Sequence, residues 1–155
     1  MTELDSVDRH ILDLLQTDAS TSIQDIADRV GLSLNPCWRR IKRLEADGVI
    51  RARVALVEPT RVGLNLTVYV RIRTNQHSAD WLDRFNSAVK SIPEISECHR
   101  IGGEVDYLLK VVVADIAAYD RVYKQLIALV PGLSDVSALF SMERIKSTTR
   151  VELPP

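Results

Sequence analysis

The chain has 155 residues and a formal net charge of -1, with 46% hydrophobic and 26% charged residues, the profile of an ordinary globular protein with room for one compact domain or two small ones. No apolar run approaches the roughly 20 residues that span a bilayer, and the opening MTELDSVDR lacks the basic lead and apolar core of an export signal. Cys37 and Cys98 lie far apart and suggest no disulfide framework, so a cytoplasmic protein is expected.

A first helix is predicted over roughly Ser6 to Gln16, with Val7, Ile11, Leu14 and Leu15 on one side. Ile23, Ile26, Ala27 and Val30 then form the apolar stripe of a second helix. Thr21 and Gln24 have capping-box spacing at its start, and Gly31 supplies a left-handed stop. Ser33 offers an N-cap oxygen for a third helix, and Pro36 falls in the first turn, where its missing N–H costs little. That helix turns Cys37, Ile41 and Leu44 inward and Asn35, Arg39, Lys42 and Arg43 outward, with Arg40 flanking them. Four cations and no acid between Leu34 and Leu44, on the second rod of a helix–turn–helix, suit entry into a DNA groove. A solvated helix face is the plainer alternative. Residues 1–60 carry eight Lys/Arg against ten Asp/Glu, but six of those cations lie between Arg39 and Arg53, and a local basic face releases phosphate counterions whatever the net charge. Trp38 either packs at the helix rim or reaches DNA sugar; Cys37 reads as a core thiol, with a redox sensor as the alternative.

Past the stop at Gly48, Val49 to Leu56 alternates, with Ile50, Ala52, Val54 and Leu56 on one face and Arg51 and Arg53 on the other. This predicts a half-buried strand and hence a winged helix. Arg51 and Arg53 suit phosphate contact or the wet side of a linker strand. Glu58-Pro59-Thr60 and Gly63 place a boundary near residue 60. The expected domains are residues 1–60, a helix–turn–helix DNA-binding domain with a wing or linker strand, and 61–155.

In the second domain Leu66, Val68, Val70 and Ile72 alternate with polar partners as a strand. Leu82, Phe85, Val89 and Ile92 have helical spacing, and Pro93 ends that helix. Ile95 to Ile101 and Val105 to Val113 read as strands separated by the Gly102-Gly103 turn. A further helix carries Ile116, Tyr119, Val122, Tyr123, Leu126, Ile127 and Val130 up to Pro131-Gly132, and Val136, Ala138, Phe140 and Met142 make a last strand. The order β-α-β-β-α-β is the ferredoxin-like arrangement, and the fold class is α+β. Leu108 and Val112 point opposite to Tyr107, Leu109, Val111 and Val113, so both sheet faces carry apolar groups and a partner subunit is expected on the uncovered one.

Enzyme signals are few. Gly102-Gly103 precedes no helix and makes no phosphate loop; His10, His77 and His99 have no metal-ligand spacing; Asp80 with Asp83 and Glu94 with Glu97 read as surface acids. No catalytic site, metal or cofactor is expected.

The segments LDSVDRHILDLLQTDA, IADRVGLS, NPCWRRIKRLEADGVI, IGGEVDYLLKV and SMERIKSTTRVELP, in this order and spacing, resemble the Lrp/AsnC (feast/famine) family of bacterial and archaeal regulators across nearly the whole chain. The resemblance implies a DNA-binding unit joined to a ferredoxin-like domain that makes dimers, often octamers, and senses an amino acid. It places the recognition helix at Ser33 to Leu44, with Ser33, Asn35, Trp38, Arg39, Arg40, Lys42 and Arg43 as DNA contacts. It places the effector between dimers at the turn Ile101 to Tyr107, preceded by Arg100. The backbone of Gly102 and Gly103 can approach a carboxylate, Asp106 can accept from an ammonium or simply stabilise the turn, and Phe140 and Ser141 are expected to supply another wall. The family often has Ser or Thr where Gly102 stands. Two other readings are a regulator that senses no ligand and, since haem-pathway decarboxylases resemble this family, a tetrapyrrole enzyme; His99 and Arg100 are the only suitable groups near a site for the latter.

Overall fold

The computed structural model describes residues 3–154; residues 1–2 and 155, the extreme ends of the two expected domains, lie outside them. The chain divides into two units, Met1–Leu56 with Ile145–Pro155, and Val57–Arg144.

The first unit contains helices α1 (Ser6–Thr17), α2 (Ile23–Val30) and α3 (Leu34–Ala46). Their apolar stripes meet in one core of Ile11, Leu12, Leu15, Ile26, Ala27, Cys37, Ile41 and Leu44. A capping box opens α1: the Asp5 carboxylate accepts from the Asp8 amide at 2.8 Å, and the Asp8 carboxylate accepts from the Asp5 amide at 3.4 Å. The cap of α2 is Ser22, which accepts from the Asp25 amide at 3.1 Å, one residue later than the Thr21–Gln24 spacing predicted. The Thr21 amide instead closes the preceding turn on the Asp18 carbonyl at 3.3 Å, so Thr21 stands outside the helix.

Residues 49–56 correct a second expectation. They find no partner strand among the described residues, and Val54 and Leu56 are 70% and 72% exposed. Of the apolar face only Ile50 is half-buried, its amide donating to the Leu44 carbonyl at 3.0 Å. Alternation is a local property, whereas a strand exists only beside another backbone.

The tail, residues 145–154, completes this unit. The Gln16 amide side chain accepts from the Val151 N–H at 2.8 Å and donates to the Val151 carbonyl at 3.2 Å, imitating one rung of a sheet. Arg150 pairs with Asp13 at 3.1 Å, and Leu153 packs on the helical core.

After a short 3-10 turn (Pro59–Val62), the second unit comprises β1 (Leu66–Thr74), α4 (Ala79–Ser91), β2 (Ile95–Arg100), β3 (Tyr107–Val113), α5 (Ile116–Leu129) and β4 (Leu133–Phe140). The strands are antiparallel in the order β2-β3-β1-β4, the ferredoxin-like topology. Val68, Val70 and Ile72 of β1 and Tyr107, Leu109, Val111 and Val113 of β3 bury their side chains in a core shared with Trp81, Phe85 and Ile92 from the α4 side and Tyr119, Val122 and Leu126 from α5. The Trp81 and Phe85 rings stack at 5.3 Å, and Phe85 meets Tyr107 at 4.3 Å. On the opposite sheet face Tyr69 is paired with Lys110 and Leu139, and Arg71 with Leu108 and Ser137. Strand β4 ends at Phe140; the Ser141 amide makes a last bond to the Thr67 carbonyl at 2.9 Å, and Met142, expected in the strand, lies exposed beyond it.

Candidate functional site

Two regions carry the residues singled out by the sequence, one in each unit. In the first, Gly31 adopts φ 70°, and the amides of Gly31 and Leu32 bond back to the carbonyls of Asp28 and Ala27 at 3.4 and 2.9 Å, which turns the chain sharply from α2 into α3. Ser33 caps α3 by its backbone position alone, its hydroxyl making no capping hydrogen bond among the described residues. Cys37, Ile41 and Leu44 anchor the inner face. Burial pushes the Cys37 thiol above its ordinary value, partly countered by the Arg40 charge, as suits a core thiol rather than a reactive thiolate.

The outer face carries Asn35, Trp38, Arg39, Lys42 and Arg43, all exposed. Trp38 is 47% exposed, so about half of its surface is open on this face and the rest is covered. A 13-residue helix is roughly 20 Å long, and a helix of this diameter fits a major groove about 12 Å wide. The cations differ in how they are held. Arg39 has no hydrogen-bond or ion-pair partner among the described residues. Lys42 pairs with Glu45 one turn on, at 2.8 Å, an exposed contact worth roughly 0.2–1 kcal/mol and easily exchanged for a phosphate. Arg43 reaches Asp8 of α1. Arg40 is turned inward to Asp5 and Asp8, at 2.7 and 2.8 Å. These bonds raise the Arg40 pKa, and the Asp8 amide followed by Arg40 holds Asp5 below its ordinary carboxylate value. Glu45 is likewise lowered, first by Lys42 and then by Arg53 at 3.2 Å.

Asp5 and Asp8 escaped the sequence reading, although their spacing just before the stripe of Val7 and Ile11 is itself a capping-box signal.

In the second unit Gly102 and Gly103 lie exposed in the turn between β2 and β3. At φ 139° Gly103 holds a conformation that side chains disfavour. Nothing lies within 4 Å of a Cβ built on either glycine, so the turn presents bare backbone. Its base is fixed by Asp106: the Ile101 amide donates to its carbonyl at 2.8 Å, its own amide donates to the Ile72 carbonyl at 2.9 Å, and its Oδ2 accepts from the Thr74 amide at 2.8 Å. One carboxylate oxygen is therefore already structural. Buried Thr74 extends the network, its hydroxyl donating to the Gly132 carbonyl at 3.1 Å and accepting from the Gln76 amide at 3.0 Å.

Arg100 ends β2 beside this turn, exposed and opposite Tyr107. Phe140 and Ser141 are not there. Phe140 pairs with Val68, whereas Tyr107 pairs with Ile72; four residues of strand, roughly 13 Å, separate the two positions along β1. Phe140 instead packs edge-on against Tyr119 at 5.7 Å. Within one chain the two groups therefore cannot line a common small pocket.

Among the described residues no cluster of His, Cys, Asp or Glu could hold a metal ion, and no helix is long and apolar enough to cross a membrane.

The chain is similar to known proteins over nearly its full length. Residues 4–51 match the family model described as winged helix-turn-helix DNA-binding, and residues 67–151 match that of the Lrp/AsnC ligand binding domain. The glutamate uptake regulatory protein of Zymomonas mobilis is 52% identical over 152 residues, covering 98% of this chain and 92% of that protein. Among solved structures, an AsnC family transcriptional regulator from Agrobacterium tumefaciens matches with a TM-score of 0.92 at 52% identity, covering 96% of this chain and 97% of that one. A Neisseria meningitidis transcriptional regulator in complex with L-Met matches with a TM-score of 0.90 at 32% identity, covering 97% of each.

Proposed function

Because the chain belongs to the Lrp/AsnC family of transcriptional regulators, we propose that it reads duplex DNA with the outer face of α3 and is modulated by a free amino acid at the turn between β2 and β3. Ser33, Asn35, Trp38, Arg39, Lys42 and Arg43 form the DNA-facing set. The observation that carries the proposal is the division of α3, with Cys37, Ile41 and Leu44 buried and the cations opposite them exposed on a rod presented by a tight turn. A rigid inner face keeps the outer one in a fixed orientation, which base readout requires.

The effector reading rests on the bare backbone at Gly102 and Gly103, suited to a carboxylate, with Arg100 beside it and the second oxygen of Asp106 for an ammonium. Phe140 and Ser141 lie too far along the sheet to close that pocket from the same chain, so a second copy supplies the facing wall. The uncovered sheet face, with Tyr69, Leu108, Val112 and Leu139, is the surface we assign to dimerisation. Further dimers then complete the effector seams. The protein works in the cytoplasm without a catalytic step.

Selection of bound genomic fragments, repeated with and without a pool of amino acids, tests both halves. Arg39→Ala with Arg43→Ala abolishes the selection and leaves the assembly size unchanged in sedimentation; loss of the assembly instead would show that this face joins subunits. Each amino acid is then titrated against thermal stability. A ligand at 100 times its Kd adds about 2.7 kcal/mol, and no response to any of them removes the effector half.

A further inference from the structure

Asp8 lies in the first turn of α1 and is 1% exposed, yet two arginines of another helix converge on it. Its Oδ1 accepts from Arg40 Nη1 at 2.8 Å, and its Oδ2 accepts from Arg43 Nη2. Asp5 Oδ2 takes the same Arg40 nitrogen at 2.7 Å. A carboxylate this deeply buried requires paired cations, and here both come from the helix proposed to face DNA.

The two guanidinium groups are held differently. The Arg40 side chain is 30% exposed and shared between two carboxylates; that of Arg43 is 45% exposed and bound to one. A guanidinium has five N–H donors in a planar fork. Anchoring Nη2 restricts where the Arg43 guanidinium can reach while its remaining donors stay available. Arg39, one turn before Arg43 on the helix, is tied to nothing among the described residues.

We propose that Asp8 is a positioning residue for DNA recognition: its buried carboxylate withdraws Arg40 from the DNA and orients Arg43, so that α3 meets the duplex with Arg39, Lys42 and one restrained edge of Arg43. The proposal rests on the assignment of α3 to DNA. Each phosphate neutralised contributes about −0.9 to the slope of log K against log salt, whatever the sequence. A mobile arginine adds to that slope on any duplex, whereas an oriented one is restricted to a particular geometry of base edge or phosphate. Asp8 thereby exchanges indiscriminate attraction for selectivity.

The test uses the full chain and two labelled duplexes, one drawn from fragments the protein itself selects and one scrambled to the same composition. Fluorescence anisotropy over a salt series gives slope and selectivity together. Asp8→Asn preserves size, keeps one acceptor oxygen while replacing the other with a donor, and removes the charge. It is expected to steepen the slope by up to about 0.9 per head, the one extra phosphate that a released Arg40 can reach, and to lower the preference for the selected duplex by roughly tenfold or more. Unchanged slope and preference in a folded Asp8→Asn protein overturn the proposal, because a merely structural role would lower the melting temperature and leave both quantities alone. Arg40→Gln, which leaves Asp8 paired with Arg43, is measured alongside. Its slope stays at the wild-type value, while Arg39→Ala flattens the slope by about 0.9; an equal loss in Arg40→Gln also refutes the assignment. If Arg39→Ala changes nothing either, the failure belongs to the DNA-facing reading of α3 and not to Asp8.

Discussion

Thr74→Val isolates the network beneath the effector turn. Thr74 is buried, and valine reproduces its shape without the hydroxyl. The substitution removes the donation to the Gly132 carbonyl at 3.1 Å and the acceptance from the Gln76 amide at 3.0 Å, while the Thr74 amide keeps its 2.8 Å bond to Asp106. Each lost bond costs about 0.5–1.5 kcal/mol net, or more where the abandoned group stays buried. Gln76 and Gly132 lie at the surface, so water replaces part of the bonding, and about 2 kcal/mol in total is expected. For a unit of this size that lowers its melting transition by roughly 8–16 °C. Calorimetry and urea titration measure it, with an unchanged m-value excluding a denatured-state effect. Thr74→Ser is the control: it retains both bonds and loses one buried methyl, about 0.8 kcal/mol. Amide exchange adds a local check, since Gln76 should exchange faster while Thr74 stays protected by Asp106. A Thr74→Val protein as stable as wild type, or no worse than Thr74→Ser, would falsify the hydrogen-bond account.

Gly132→Ala and Gly63→Ala form a pair. Both positions have φ 84°, which costs a side chain about 1–2 kcal/mol, but only at Gly132 does the new Cβ meet a neighbour, Gln76 Cγ at 2.8 Å. Gly132→Ala should therefore melt lower than Gly63→Ala, and equal melting temperatures would mean that Gln76 swings aside freely. Acid titration probes the helical unit. Glu45 is held below its ordinary value of 4.5, chiefly by Lys42, and a carboxylate depressed in the folded state contributes stability that is fully present above pH 4.5 and lost as the pH falls through the lower folded value. Glu45→Gln should melt below wild type at neutral pH and converge with it as acid is added; a constant gap across that range contradicts the assignment.

Local regularities made most of the fold legible. The spacing of Ile23, Ile26, Ala27 and Val30, the alternation from Leu66 to Ile72 and the stops at Gly31 and Gly48 each depend on residues a few positions apart. The misreadings involve partners that local pattern does not specify. Val49 to Leu56 alternates like a strand but has no neighbour among the described residues. Thr21–Gln24 and Ser22–Asp25 offer the same cap spacing, and only the turn onto Asp18 decides between them. Local pattern is equally silent on the carboxylates that hold Arg40, which lie 35 and 32 residues away. The separation of Phe140 from Gly102-Gly103 was legible in principle: with β1 antiparallel to both β3 and β4, the end of β4 lies beside the start of β1, and the β2–β3 turn lies beside its end.

The inward commitment of Arg40 bears on how many subunits must engage DNA. With Arg39, Lys42 and one edge of Arg43 as the effective cations, a head neutralises about three phosphates and contributes a slope near −2.7. Raising salt from about 50 to 200 mM then weakens one head only roughly 40-fold, against the roughly 10³–10⁵-fold of proteins that make 6–10 phosphate contacts. A chain of net charge -1 adds no long-range attraction to compensate. Tight binding therefore has to come from several heads on one assembly, each weak and each oriented, with linkage raising the effective concentration of the next. The salt slope consequently counts engaged heads: near −5.4 for a dimer using both, and proportionally steeper if neighbouring dimers also touch the duplex. A slope near −2.7 from an assembly that sediments as a dimer or larger would mean that one head binds alone, and the case for paired recognition would fail on electrostatic grounds.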